Sequence, residues 1–109
     1  MLTKEDRFLL EKQAEVVKAI AHPLRIAILG FLKDAPQCVC DIAEHLGAER
    51  SNVSRHLSIM VKASVLEYEK QGLKVIYSLK TPCLIECFAC ITECLKQRAE
   101  DNQKLLKAL

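Results

Sequence analysis

The chain has 109 residues, 50% of them hydrophobic, with only three Gly and three Pro. That length bounds one small domain, residues 1–109, and the scarcity of turn-forming residues excludes a disordered chain and a many-stranded β fold in favour of a mainly α one. Sixteen Lys and Arg against fourteen acids leave a net charge of +2, too little to indicate a nucleic-acid partner by itself, so the positions of the charges must decide.

The opening segment MLTKEDRFLLEKQ is charged throughout. It lacks the apolar stretch and small-residue cleavage site of a secretory signal, and no run reaches the length of a membrane span. A cytoplasmic protein with no membrane partner is expected. In a reducing compartment the six cysteines are expected as free thiols, metal ligands or redox groups, not as a disulfide framework.

From Lys4 to Ile20, the residues Phe8, Leu9, Val16, Val17 and Ile20 recur at helical spacing and predict a first amphipathic helix. Pro23 suits the first turn of a second helix with Ile26, Leu29, Phe31 and Leu32 as its apolar content, and Asp34-Ala-Pro36 ends it. Val39, Ile42, Ala43 and Leu46 make a short third helix closed by Gly47. The fourth helix runs from about Arg50 to Ala63. At about 100° per residue, Val53, Leu57, Met60 and Val61 share one side while Ser51, Asn52, Arg55 and Ser58 share the other.

Two short helices joined through Gly47-Ala48-Glu49, the second displaying small polar and guanidinium groups, fit a helix-turn-helix whose second member enters the major groove. An ordinary solvated helix face is the alternative. On the first reading Arg50, Ser51, Asn52, Ser54 and Arg55 are candidate DNA contacts. His56, at the edge of that face, fits either a DNA contact or packing against a neighbouring helix. His22, beside Pro23, reads as a capping or packing residue and His45 as solvent-facing; no histidine has a partner at a spacing typical of zinc sites.

Residues 66–80, LEYEKQGLKVIYSLK, alternate around Gly72, with Val75, Tyr77 and Leu79 on one side and Lys74, Ile76 and Ser78 on the other. This predicts a β-hairpin. A hairpin directly after a recognition helix makes a wing, and Lys70, Gln71 and Lys74 near its tip are candidates to reach a phosphate or a groove edge. The expected architecture is a winged helix-turn-helix, mainly α, with about five helices and a two-stranded wing.

In the last helix, which begins TPCLIECFACITECLKQ, Cys83, Cys87, Cys90 and Cys94 follow a 4-3-4 spacing. It keeps them within an arc of about 60° along about 16 Å. Neighbours three and four apart lie about 5 to 6 Å from each other at Cβ, so Cys87, Cys90 and Cys94 are the tightest candidate metal trio. Alternatively, the row flanks a dimer seam made by Leu84, Phe88, Ile91 and Leu95. Cys87 and Cys90 also form a C-x-x-C couple suited to a thiol redox or reactive-sulfur sensor. A thiol oxidoreductase is disfavoured, because no βαβ pattern surrounds that couple.

Through AHPLRIAILGFL, CVCDIAEHLG, SNVSRHL and the hairpin end VIYSL, in that order, the chain resembles the ArsR/SmtB family of winged-helix repressors over nearly its whole length. The resemblance implies a homodimer whose first and last helices pair, and a repressor that leaves its double-stranded operator DNA when an inducer binds. No enzymatic activity and no small-molecule substrate are expected. Cys38 and Cys40 match the CVCD element with which the arsenic- and cadmium-responsive members grip thiophilic metals. Thiolates are soft ligands, and the expected inducer is As(III), ahead of Sb(III), Cd, Pb and Zn.

Residues two apart on an ideal helix point about 200° away from each other. Both sulfurs therefore face one ion only if the start of the third helix is extended or distorted, and chelation there would strain the helix that supports the recognition helix. The other role open to the pair is burial as small hydrophobes. The chain departs from the family pattern in three places. Ala63-Ser64-Val65 stands where a glycine is usual after the recognition helix, and the last helix lacks the Asp/His/Glu set used for zinc. Ala43 stands where the three-coordinate arsenic version of the motif has its third cysteine.

Overall fold

The computed structural model describes residues 1–109. Its elements run α1 (Lys4–Ile20), α2 (Pro23–Leu32), β1 (Gln37–Cys38), α3 (Val39–Leu46), α4 (Arg50–Lys62), β2 (Leu66–Gln71), β3 (Lys74–Leu79) and α5 (Cys83–Ala108). The helix boundaries follow local chemistry. Thr3 and Asp6 exchange side-chain and backbone hydrogen bonds of 3.0 and 2.9 Å in a capping box. The bond from the Thr3 amide, with that to the Thr3 side chain, holds the Asp6 carboxyl below its ordinary range. His22 Nδ1 accepts the Leu24 amide at 3.1 Å, and Pro23 occupies the first turn of α2. Cys38 Sγ accepts the Asp41 amide at 3.4 Å and caps α3, which Gly47 ends at φ 63°.

The core lies where α2, α3, α4 and the base of the wing converge. Ile28, Leu29, Ile42, Val53, Leu57, Met60, Val65 and Leu66 are all fully buried. Within α4 the expected division holds: Val53, Leu57 and Met60 point inward, while Ser51, Arg55 and Ser58 are exposed. Within α2 it is Ile28 that enters the core, whereas Ile26 is 40% exposed. A helix that is apolar around most of its circumference does not declare its buried face by pattern alone.

The sheet has three strands, not the two expected, in the order β1-β3-β2 with both pairings antiparallel. Gln37 pairs with Tyr77 and Cys38 with Ile76. A two-residue strand carries no alternation to reveal it. It also makes β3 the central strand; Val75 to Leu79 are all half-buried, and Tyr77 and Leu79, from one side of the expected alternation, pack against the core. The register Gln71↔Lys74 leaves a two-residue turn, Gly72-Leu73, with Gly72 at φ 65°, the glycine-first arrangement that suits the twist of a tight hairpin.

The two terminal helices stand apart from this core. α5 has no fully buried residue over its 26 positions, and α1 buries only Ala19 and Ile20. Of the α1 residues that suggested an amphipathic helix, Phe8, Leu9 and Val17 are exposed; on α5 so are Ile91, Leu95, Leu105 and Leu106. Leu84, Ile85 and Phe88 tie the start of α5 to the core. The radius of gyration is 17.6 Å, against about 13 Å for a compact chain of this length. The accessible surface is 8228 Å², against roughly 6,100 Å² for a compact monomer of this mass.

The turn leaving α4 keeps the left-handed residue of a glycine stop without the glycine. Ser64 has φ 64°. Its amide and that of Val65 return to the carbonyls of Val61 and Met60, each at 3.0 Å, the paired bonds of a Schellman ending. Ser64→Gly should therefore stabilise the fold by about 0.5–1 kcal/mol, as relief of the left-handed strain exceeds the added freedom of the unfolded chain. Urea unfolding checks this as a higher midpoint with an unchanged slope. An unchanged or lower midpoint would show that the turn holds no such strain.

Candidate nucleic-acid interface and thiol pocket

The exposed side of α4 forms an open concavity of about 490 Å³ with the preceding turn, lined by Ala48, Glu49, Ser51, Asn52 and Arg55. Arg55 Nη2 donates to Asn52 Oδ1 at 2.7 Å, which holds the guanidinium along the helix face. Glu49 makes no side-chain cap, so the first-turn amides of α4 are free to meet an acceptor such as a phosphate. Arg50, Ser51, Ser54 and Arg55 are exposed and Asn52 is half-buried.

His56 leaves this set. It is 5% exposed, with its ring 4.5 Å from that of His22 and its Nδ1 accepting Arg25 Nε at 3.0 Å. Packing, not DNA contact, is its role, because its place on the edge of α4 turns it toward α2. The wing also divides. Directly paired residues share a face, and the pairs Lys70↔Val75 and Gln71↔Lys74 put Gln71 and Lys74 on one face of the ribbon and Lys70 on the other.

Cys38 and Cys40 line one small pocket of about 100 Å³ together with Val39, Arg50, Leu73, Lys74 and Val75. Cys38 is the extended N-cap of α3, at φ −81° and ψ 160°, so the pair straddles the junction of β1 and α3 instead of lying within one helix. Cys38 is 5% exposed and Cys40 is exposed. No sequence pattern reports this pocket, because β1, α3, α4 and the tip of the wing build it together.

The last-helix cysteines behave otherwise. Cys83, Cys87, Cys90 and Cys94 are all exposed free thiols. No group of three or more His, Cys, Asp or Glu side chains comes close enough to hold a metal ion, so Cys87, Cys90 and Cys94 do not form a three-ligand cluster within one protomer. The cause is the helix rise, which separates the outer two by about 10 Å.

A model of the bacterial regulatory protein arsR family matches residues 22–68. The HTH-type transcriptional regulator Rv0081 of Mycobacterium tuberculosis (strain H37Rv) is 31% identical over 96% of this chain and 93% of that protein. The chain belongs to the ArsR family. The crystal structure of Rv0081 agrees, with TM-score 0.73 and 32% identity over 86% of this chain and 95% of that one. PagR of Bacillus anthracis, described as a transcriptional repressor, gives TM-score 0.66 and 34% identity over 75% of this chain and 98% of that one. The fold also matches Mb0332 of Mycobacterium bovis, described as a homodimeric winged helix-turn-helix DNA-binding domain, with TM-score 0.78 and 23% identity over 92% of this chain and 93% of that one.

The ArsR family is one of DNA-binding transcriptional regulators, not of enzymes. No helix of the chain is long and apolar enough to cross a membrane.

In this ArsR-family chain the sequence reading overlooked Arg25, whose Nη1 donates to the Ala19 carbonyl at 3.3 Å while its Nε holds His56. One guanidinium thus joins the end of α1 to α2 and α4; an arginine inside the apolar run PLRIAIL was the available signal. Burial, and then the charges of His22, Arg25 and Arg55, depress the His56 pKa below its ordinary 6.5. The unfolded chain therefore binds the proton more readily, and the stability contributed by neutral His56 is present above that value and lost as pH falls below it. His56→Gln should keep an acceptor for Arg25 and show a shallower loss of unfolding free energy between pH 7 and 5 than wild type. Parallel curves would remove His56 as a source of acid sensitivity.

Proposed function

We propose that the protein is a homodimeric repressor that holds double-stranded operator DNA and releases it when a thiophilic ion, As(III) ahead of Sb(III), Cd, Pb or Zn, is captured by its cysteine thiolates. The observation that carries this reading is the shared wall between thiols and DNA-reading elements. The pocket of Cys38 and Cys40 is closed by Arg50, the first residue of α4, and by Leu73 and Lys74 at the wing tip. An ion drawing the sulfurs together acts on the start of α3 and on both elements that would face the duplex. Arg50, Ser51, Asn52, Ser54 and Arg55 form the recognition face, with Gln71 and Lys74 on one face of the wing and Lys70 on the other.

The likeness to the repressor PagR supports repression. Assembly as a dimer is supported by the exposed apolar faces of α1 and α5 and by the homodimeric fold neighbour. It also answers the need to meet two half-sites about one helical turn apart. Cys87, Cys90 and Cys94 form a second thiol group that needs ligands from outside its own helix. Exposure of the C-x-x-C couple favours a second reading, a thiol redox or reactive-sulfur sensor; it differs in needing an oxidant or polysulfide for release.

Arg55→Ala should weaken operator binding by roughly 1–3 kcal/mol with an unchanged thermal midpoint, as read by fluorescence anisotropy of a labelled operator. Wild-type affinity in that variant would displace the recognition face from where it is drawn here. In the same assay the fully reduced protein, sedimenting as a dimer, should release DNA on addition of As(III). Cys38→Ser combined with Cys40→Ser should bind DNA but resist release, since serine keeps the size and loses the soft donor. Release by oxidant or polysulfide alone would decide for the second reading.

A further inference from the structure

Leu73 stands at the apex of the wing, in the two-residue turn between Gln71 and Lys74, and is fully exposed. Small polar residues and glycine are the usual occupants of such a turn. Most other exposed large apolar side chains lie on α1 and α5, the faces assigned above to a second copy, and Leu73 belongs to neither. An apolar side chain held wholly in water gains free energy from any surface that covers it.

Its surroundings are cationic. Lys70 and Lys74 flank the turn, and Arg50, the first residue of α4, lines the same small pocket as Leu73 and Lys74. The apex therefore lies beside the N-terminal end of α4, the end that meets base edges when a recognition helix occupies the major groove. The next groove along the duplex is the minor one. At about 6 Å across it admits a side chain but not the body of a two-stranded ribbon. Lys70 projects from one face of the wing and Gln71 and Lys74 from the other, so with the apex at the groove each face is turned toward one of the two phosphate rims. Leu73, between them, is directed at the floor.

We infer that Leu73 is an apolar wedge that enters the minor groove beside each half-site and partly unstacks one base step there. The inference rests on the DNA-binding reading proposed above and adds to it a position that no hydrogen bond reads. A leucine side chain has no donor or acceptor for a base edge, so its contribution comes from leaving water between partly separated base faces. Opening the step also bends the duplex toward its major groove, which is the groove that α4 occupies. Pyrimidine–purine steps such as TA and CA open more easily than others. The wedge thus makes the protein select a flexible step outside the bases that the recognition helix touches.

The test uses the full, reduced chain and a duplex that it selects from a random-sequence pool. Each step flanking the half-sites is rebuilt in turn as TA, CA, AA or GC, and 2-aminopurine replaces the adenine of the TA and CA steps. Anisotropy reads affinity and 2-aminopurine emission reads unstacking. Emission at one step outside each half-site should rise about twofold or more on saturation, and TA or CA there should be bound about fivefold or more tighter than AA or GC. Leu73→Ala should lose both the rise and the step preference yet keep the wild-type thermal midpoint, since the native side chain packs against nothing. Leu73→Met should retain both. Arg55→Ala, saturated with the same duplex, should keep the emission rise, because the contact it removes lies in the other groove.

Unchanged emission at every flanking step under saturating wild-type protein would overturn the inference and leave the proposed function standing. So would a Leu73→Ala variant that keeps the step preference, or wild-type protein that binds all four flanks equally, since Leu73 would then be an unspecific contact at most. If the chain selects no duplex from the pool, operator binding itself fails and the inference fails with it.

Discussion

Burial of one side of α4 is the constraint on which the rest depends. Val53, Leu57 and Met60 stand at i, i+4 and i+7 and are fully buried, and three anchors at that spacing leave a helix one rotation about its own axis. Everything presented on the opposite side follows from that rotation. The same core receives Ile42 from α3 and Val65 and Leu66 from the base of the wing, so the packing that orients the recognition face also fixes where the wing springs from. Truncating one of these side chains costs typically 2–5 kcal/mol, a large part of the 5–15 kcal/mol that holds a small domain together.

At the edge of that helix the packing becomes polar. Arg25 bridges the Ala19 carbonyl and His56, and a buried donor or acceptor that loses its partner costs about 1–3 kcal/mol. A shift of α4 against the end of α1 therefore meets resistance from a directional contact as well as from apolar packing. α1 carries one of the two exposed apolar faces, so this junction lies between the surface that a second copy would cover and the helix that would read DNA.

Much of this architecture was legible because local chemistry states it. Pro23, Gly47 and the apolar stripe of α4 each act within a few residues, and the helices they bound fall where the sequence places them. What escaped has physical reasons of the same kind. β1 is two residues long and leaves no period. His56 sits between the two faces of α4, and its fate was settled by Arg25, thirty-one positions earlier in the chain. Tyr77 and Leu79 keep the side that alternation assigns them and pack against the core; only the strand on the second edge of β3 was unforeseen. The row of cysteines on α5 was visible as a row, yet spacing along a helix says nothing about what stands opposite.

That last point separates the two thiol groups. Cys38 and Cys40 sit where an extended strand turns into a helix, both residues line one pocket, and the wing supplies its far wall within the same chain. The α5 cysteines lie on an uninterrupted helix and face outward; any chemistry needing more than neighbouring thiols must take its second wall from another molecule. The exposed apolar residues Ile91 and Leu95 occupy the adjoining strip of that helix. A partner that covers the strip also approaches the cysteine row, so on α5 thiol chemistry and assembly depend on the same surface. At the head of α3 the thiols share their pocket with Arg50 of the recognition helix and with Leu73, Lys74 and Val75 of the wing.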